Sequence, residues 1–291
     1  MGALDGKVAI IIGAGRGIGR EHALRFAREG AAVVVNDLGG ANDGSGSDAG
    51  PAQEVIDEIL AAGGRAVANT DNVSSWEGAK GLVEQAVREF GRLDILINNA
   101  GILGDQFIAS MQESDWDTVI AVHLKGHFSM LRHAAEYWKT QSKAGVAAKA
   151  AVVNTSSPSG TYISNAGQAN YGPAKAAIAE LTHVAARRIE AVRRAGQRDR
   201  TRCANATDAR DSRHGRHVRP GTGGPVRRVR PENISPIVAY LASDACTITG
   251  QVLGVQCGSK SRLTRWQIGE TTKTDGPWEI AEIHSRIGTW E

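Results

Sequence analysis

The sequence predicts an α/β fold: a doubly wound parallel sheet in a single domain of 291 residues. Three observations carry that prediction. Short β-branched apolar runs alternate with stretches of helical period, and the first run opens onto a glycine cluster. Hydrophobic residues at 41% and charged residues at 22% are enough for one sizeable core. The 35 glycines follow no fixed period, which excludes collagen, and no apolar run approaches the roughly 18 residues that cross a bilayer. Met1-Gly2-Ala3-Leu4-Asp5-Gly6 lacks the basic and apolar regions of a signal peptide, so a cytoplasmic protein with no membrane partner is expected. Cys203, Cys246 and Cys257 lack metal-ligand spacing, which points to a reducing compartment and to no metal site.

Taken in order, Lys7 to Ile12 reads as a buried strand and Glu21 to Glu29 as a helix, with Ala23, Leu24, Phe26 and Ala27 near helical spacing. Ala32 to Asn36 is a second strand, and Gly39 to Gly50 is a surface excursion rich in Gly, Ser, Asn and Asp. Gln53 to Ala62 is helical, Ala66 to Asn69 a short strand and Trp76 to Phe90 helical again. A strand at Leu93 to Ile97, one long helix from Trp116 to Trp138 and a strand at Ala150 to Asn154 follow, then a helix over Tyr171 to Ile189. After Pro231, Ile234 to Leu241 is helical and Gly250 to Val255 a closing strand.

The segment between these parts, residues 190–230, has neither period and almost no large apolar residues, so no core element is expected there. The net charge of +3 hides its character. Arg187 to Arg230 holds fourteen arginines, no lysine and four acids, a balance of +10 that leaves −7 for the remainder. That charge suits phosphate contacts, but the segment carries no nucleic-acid motif, aromatic interleaving or helical stripe, and no nucleic-acid partner is expected. The stretch reads instead as a shifted reading frame, compensated near Pro231. Val192 to Arg202 can be encoded so that the frame starting one base later gives Tyr-Gly-Val-Arg-Val-Asn-Ala-Ile-Ala-Pro, a strand followed by proline. On this reading a core strand is missing, and low stability is expected.

Gly13-Ala14-Gly15-Arg16-Gly17-Ile18-Gly19 lies between the first strand and the first helix, where phosphate can approach bare backbone and the positive helix end. Asp37 ends the second strand, at the usual remove from the last glycine for a carboxylate that bonds the adenosine ribose hydroxyls. Such a carboxylate repels a 2′-phosphate and favours NAD over NADP, with Arg16 leaving room for the alternative. As a plain turn residue Asp37 would merely open the Leu38-Gly39-Gly40 loop. Tyr171 and Lys175 are four residues apart, on one face of a helix. A nearby ammonium stabilises phenolate, which makes Tyr171 a usable general acid or base.

With Asn98-Asn99-Ala100-Gly101 and Ser156-Ser157-Pro158-Ser159-Gly160 added to the glycine turn and the Tyr171/Lys175 pair, the chain resembles the short-chain dehydrogenase/reductase family. The resemblance runs from Leu4 to Ala186 and returns at Pro231. Through Val35-Asn36-Asp37-Leu38-Gly39-Gly40, Val122-His123-Leu124-Lys125-Gly126 and Gly167-Gln168-Ala169-Asn170-Tyr171 it is similar to the (3R)-hydroxyacyl-CoA dehydrogenase domain of the peroxisomal multifunctional type 2 subgroup and its bacterial relatives. The resemblance implies a Rossmann-like fold, a homodimer or homotetramer, and interconversion of a secondary alcohol and a ketone. The implied substrate is a 3-hydroxyacyl thioester, with a sterol-like alcohol second. The alternative is a dinucleotide-binding protein whose catalysis is impaired by the segment at 190–230.

Residue by residue, the resemblance assigns the proton to Tyr171, and to Lys175 the nicotinamide ribose and the tuning of Tyr171. A serine steadies the substrate oxygen. The family position thirteen residues before the tyrosine is Pro158 here, so Ser157 is the match, with Ser159 as the alternative. His123 stands where most of the family has a relay asparagine; it is read either as a continuing relay or as a hydrogen-bonded core histidine. Cofactor contacts are implied for Gly13, Gly15, Arg16, Gly17, Ile18 and Gly19 in the turn and for Asp37 beside it. Asn72 and Val73 are implied at the adenine, and Asn99, Ala100 and Gly101 beyond the fourth strand, together with Tyr171 and Lys175.

Overall fold

The computed structural model describes residues 2–41, 43, 45–46, 48–146, 149–194, 202–208, 231–256, 259–273 and 276–287. Its strands are β1 (Val8–Ile12), β2 (Ala32–Asn36), β3 (Arg65–Asn69), β4 (Ile95–Asn98), β5 (Ala151–Ser156), β6 (Arg202–Asp208), β7 (Val252–Gln256) and β8 (Ser259–Leu263). They form one sheet in the order β3-β2-β1-β4-β5-β6-β7-β8, parallel throughout except for the antiparallel β7–β8 edge. The chain winds outward from β1 to β3, then returns to β4 on the other side of β1. Ligands of such sheets bind at that reversal, beyond the carboxyl ends of the strands.

The helices are α1 (Gly17–Arg28), α2 (Gly50–Ala61), α3 (Trp76–Phe90), α4 (Glu113–Ile120), α5 (Gly126–Lys143), α6 (Tyr171–Arg194), α7 (Ser235–Ala242) and α8 (Ile280–Ile287). Strand period 2 sends alternate residues to opposite faces. Ala9, Ile11, Val33 and Val35 therefore pack with Leu24 and Phe26 of α1, Val55 and Ile59 of α2 and Val238 of α7. Val8, Ile10, Val34 and Leu96 pack with Leu82 and Val83 of α3 and Met130 and Trp138 of α5. Coverage on both faces is why β1 and β2 are unbroken apolar runs rather than alternating ones. The buried Trp138 indole donates Nε1–H to Leu93 O at 2.7 Å. Among the described residues no helix is long and apolar enough to cross a membrane.

Three expectations need correction. The first helix starts at Gly17 rather than Glu21, so the end of the glycine turn already belongs to its first turn. The long helix is two helices joined by a π turn, Ala121–Lys125. The third correction is β6, since residues 190–230 are not empty of core structure. Arg202–Asp208 pairs in parallel register with β5 and β7, and α6 runs on to Arg194. A ladder needs only backbone donors and acceptors, and a sequence of small residues such as Cys203, Ala204 and Ala206 can form one without the large apolar side chains that mark a strand in sequence. The missing core strand expected of a shifted frame over 190–230 is thus contradicted, since β6 occupies that place; the rest of the segment, 195–201 and 209–230, lies outside the described residues. β8 and α8 lie beyond the predicted closing strand. β8 is a largely exposed edge whose polar sequence, Ser-Lys-Ser-Arg-Leu, carries no strand signal.

His22 on α1 pins α7 through a 2.8 Å contact between its Nδ1 and Ser235 Oγ. Burial pushes the pKa of His22 down from 6.5 to about 3, and that of His127 on α5 likewise to about 3. The unfolded chain takes up these protons below pH 6.5 and the native chain does not. The stability they confer is thus full above pH 6.5 and falls toward pH 3, by about 1.4 kcal/mol per pH unit for each histidine. Urea midpoints at pH 7.5 and 5.5 should show the loss, and His22→Gln should reduce it; an unchanged pH dependence in that variant would contradict the assignment.

Candidate active site and cofactor cleft

The glycine turn sits at the sheet reversal. Gly13 has φ 67° and Gly17 φ 55°, left-handed conformations that other residues adopt at a cost. A Cβ on Gly19 would lie 1.9 Å from Gly13 O, and one on Gly13 would lie 2.7 Å from the Cα of Ala100. Arg16 provides no side-chain cap to α1, so the first-turn N–H groups point into the cleft without a capping side chain. Asn99 Nδ2 donates to Ile12 O at 3.3 Å and Gly13 O at 3.1 Å, tying the end of β4 to the turn. Ile18 is half-buried against the core below.

Asp37 is held from both sides. Gly15 N–H donates to Oδ2 and Gly39 N–H to Oδ1, each at 2.7 Å. A Cβ on Gly15 would sit 2.9 Å from that carboxylate. Arg16 reaches over the same edge and donates from Nη1 to Gly40 O at 3.2 Å. Asn72 is differently engaged. Its Oδ1 accepts from Ser74 N at 2.9 Å and from Ser74 Oγ at 2.6 Å, a local turn before α3, while the adjacent Val73 is buried.

The catalytic candidates converge on the first turn of α6. Asn170 precedes Tyr171, and its Oδ1 accepts from Tyr171 N at 2.7 Å. Its Nδ2 donates to Gly104 O at 2.7 Å and Asp115 O at 3.0 Å, which clamps the loop after β4 and α4 onto the helix start. Lys175 is 2% exposed. Its ammonium lies 5.5 Å from the Tyr171 ring centroid and donates to Thr155 O at 2.7 Å. Burial lowers its pKa from 10.5 to about 7. His123, on the π turn, meets the Tyr171 ring edge-on, with centroids 5.0 Å apart. A π turn inside a helix often marks a functional position. Gly101 makes room for this ring, since a Cβ there would stand 2.4 Å from His123 Cε1.

The two candidate serines share the loop packed on that same turn, where a Cβ on Gly160 would lie 1.9 Å from Gly172 O. Ser157 is buried and its Oγ accepts from Ser159 N at 3.2 Å. Ser159 is buried too, and its Oγ has no hydrogen-bond partner among the described residues. Ser156 donates from Oγ to Lys175 O at 2.6 Å, fixing β5 to α6.

The structure thus brings the glycine turn, Asp37, Asn99, Ala100 and Gly101 to one cleft, and groups Ser157, Tyr171, Lys175 and His123 around the start of α6. Sequence reasoning gave no separate part to Asn170, Ile102, Thr155 or His127. Asn170 was findable as an N-cap type just before a helix; Ile102 and Thr155 act through backbone atoms, which leave no mark in the sequence.

The turn fits a dinucleotide: glycine at 13 and 19 lets it close tightly on Ala100 and on its own backbone, and the first-turn N–H groups of α1 carry no capping side chain at the sheet reversal. The model of the short chain dehydrogenase family matches residues 7–193. The chain is 41% identical over 292 residues to the hydroxyacyl-CoA dehydrogenase ChsB1 of Mycobacterium tuberculosis, a match covering 98% of this chain and 88% of that one. It is 40% identical over 259 residues to the peroxisomal multifunctional enzyme type 2 of Drosophila melanogaster, covering 89% of this chain but only 40% of that protein's length. A short chain dehydrogenase from Mycobacterium avium superposes with a TM-score of 0.86 at 43% identity, over 99% of this chain and 95% of that one. The chain belongs to the short chain dehydrogenase family, whose dehydrogenases are oxidoreductases that use nicotinamide dinucleotides.

Proposed function

We propose that this chain interconverts the alcohol and ketone of a 3-hydroxyacyl thioester with NAD as the hydride carrier. The observation that carries the reading is the buried Lys175 ammonium set against the Tyr171 ring. NAD would supply the hydride acceptor. The turn Gly13–Gly19 would hold its pyrophosphate, Asp37 the adenosine ribose, and Lys175 the nicotinamide ribose. Tyr171 takes the hydroxyl proton as the alcohol is oxidised and returns it in reduction. A positive charge on Lys175 favours the phenolate that accepts it. Ser157 steadies the substrate oxygen, with Ser159 next to it as the alternative. The thioester follows from the names of the relatives, hydroxyacyl-CoA dehydrogenase among them. Absorbance of reduced nicotinamide on a panel of a 3-hydroxyacyl-CoA, a sterol alcohol and a simple secondary alcohol tests this. The thioester should give the highest kcat/KM, and a preference for either of the others would overturn the assignment.

NAD rather than NADP follows from Asp37. Its carboxylate is fixed by two backbone donors, leaving lone pairs for vicinal hydroxyls and a negative charge against a 2′-phosphate. Asp37→Ser should weaken NAD binding about tenfold or more and relax rejection of NADP. Calorimetry in which the parent chain binds NADP more tightly than NAD would contradict it.

Exposed Trp116, Phe128 and Val184 on α4, α5 and α6 support a homo-oligomer formed through those helices. The shifted-frame reading of residues 190–230, as one continuous shift compensated near Pro231, remains part of the proposal. Restoring the frame should tighten NAD retention and raise turnover, and equal values for the two chains would contradict it.

A further inference from the structure

The loop between β4 and α4 is tied at three successive points to the surroundings of Tyr171. Ile102 holds the His123 imidazole through its backbone, with Nε2 2.8 Å from its carbonyl and 3.1 Å from its N–H. Gly104 O accepts from Asn170 Nδ2 at 2.7 Å, and Asp105 Oδ2 accepts from Gln168 Nε2 at 2.9 Å. The first two ties reach residues that touch Tyr171: His123 packs on its ring and Asn170 Oδ1 accepts from its N–H. The third reaches Gln168, three residues before the tyrosine.

Gln168 is 8% exposed, and each of its polar atoms is engaged. Besides Nε2 on Asp105, its Oε1 accepts from Asn165 Nδ2 at 3.0 Å, its N–H donates to Asn165 O at 3.0 Å and its carbonyl accepts from Gly172 N at 2.9 Å. A parallel bridge between Gln106 and Gln168 runs alongside. The side-chain amide can face only one way, because turned over it would set oxygen against the Asp105 carboxylate and nitrogen against the Asn165 amide. What Gln168 holds is the opening of α6. The first N–H groups of a helix lack intrahelical partners, and here Tyr171 N–H goes to Asn170 Oδ1 and Gly172 N–H to Gln168 O. The place of Tyr171 is thus set from the loop after β4. A proton carrier must come within about 2.6–3.2 Å of the hydroxyl it serves, and a misplacement of about 1 Å costs on the order of 100-fold in rate.

We propose, on the reading of Tyr171 as the proton carrier, that Asp105 and Gln168 form a latch between the loop after β4 and the start of α6, and that both are positioning residues for Tyr171. The carboxylate fixes the Gln168 side chain, the Gln168 carbonyl fixes the first turn of the helix, and that turn carries the phenol. The glycine turn and Asp37 stand at the ends of β1 and β2, away from this latch, so releasing it changes the rate and hardly the affinity for NAD.

The test uses the full chain at about pH 8, where two facing carboxylates are both ionised. Gln168→Glu keeps the acceptor for Asn165 but sets a carboxylate against Asp105; the double variant Asp105→Asn/Gln168→Glu restores one donor and one acceptor with their sides exchanged. Gln168→Glu should lower kcat about tenfold or more on a secondary alcohol that the parent oxidises, with NAD affinity within about threefold, and the double variant should recover most of the loss. Hydrogen exchange of the Tyr171 and Gly172 amides, followed without substrate, should quicken about tenfold in Gln168→Glu and slow again in the double variant. A parent-like kcat or unchanged exchange in Gln168→Glu overturns the proposal, and a lowered urea midpoint beside either marks a tie that serves the fold alone. A double variant no better than the single one overturns it too. If Gln168→Glu does not fold, Asp105→Ala is read by the same two measurements with the same expected losses, and exchange alone decides if the parent chain is inactive. Undiminished turnover in Tyr171→Phe would instead remove the reading of Tyr171 itself, whatever the Gln168 variants do.

Discussion

Replacing Tyr171 with Phe is expected to cut turnover on any accepted substrate by roughly 10²- to 10⁴-fold while leaving NAD binding nearly unchanged. The phenyl ring keeps the packing against His123 and the place beneath Lys175, and it lacks only the hydroxyl that exchanges the substrate proton. Lys175→Ala should behave differently. It removes the ammonium beside the ring and the bond to Thr155 O, so cofactor affinity should fall along with the rate. Steady-state rates and calorimetric NAD affinities of the two variants separate these outcomes. A Tyr171→Phe chain with near-parental kcat would show that the proton moves by another route.

Gly19→Val is expected to abolish useful cofactor binding. A Cβ there stands 1.9 Å from Gly13 O and 2.7 Å from Asn99 Nδ2, so the turn cannot keep its shape and carry the side chain. Both neighbours belong to the structure that shapes the phosphate cradle: Gly13 begins the turn, and Asn99 holds it to β4. Overpacking against backbone costs about 3 kcal/mol or more, equivalent to at least ~100-fold in NAD affinity if the loss falls on the cleft. Gly17, where a Cβ meets open space, offers the comparison. Gly17→Ala carries only the strain of φ 55° and should lose less, about 1 kcal/mol. Equal losses at the two positions would contradict the steric reading of Gly19.

Most of this cleft was legible in the sequence because its parts are backbone devices with side-chain signatures. The glycines from Gly13 to Gly19 stand where a Cβ or a negative φ would be excluded, and Asp37 follows an apolar strand at the remove that the fold imposes. Tyr171 and Lys175 announce themselves by helical spacing. What escaped notice has no such mark. The π turn at Ala121–Lys125 inserts a residue into a helix whose apolar period looks continuous, yet it is what sets His123 against Tyr171. Thr155 and Ile102 contribute main-chain atoms that any residue would supply. β6 escaped because a fully paired strand can be written in small residues, and charge dominates the composition around it. His127 escaped because a histidine on a helix most often serves packing, and nothing in the sequence marks its burial.

The central claim is that the sheet reversal and the start of α6 together form a working hydride and proton transfer site for a thioester-linked alcohol. It is tested most directly by mixing the chain, and its frame-restored counterpart, with saturating NAD and a 3-hydroxyacyl-CoA and following reduced nicotinamide by absorbance. The expected result is sustained formation of NADH by the restored chain, slower formation by the present one, and formation lower by roughly 10²- to 10⁴-fold in either after Tyr171→Phe. Calorimetric binding of NAD by both chains with no reduced nicotinamide from either would contradict it, and would leave a dinucleotide-binding protein without catalysis.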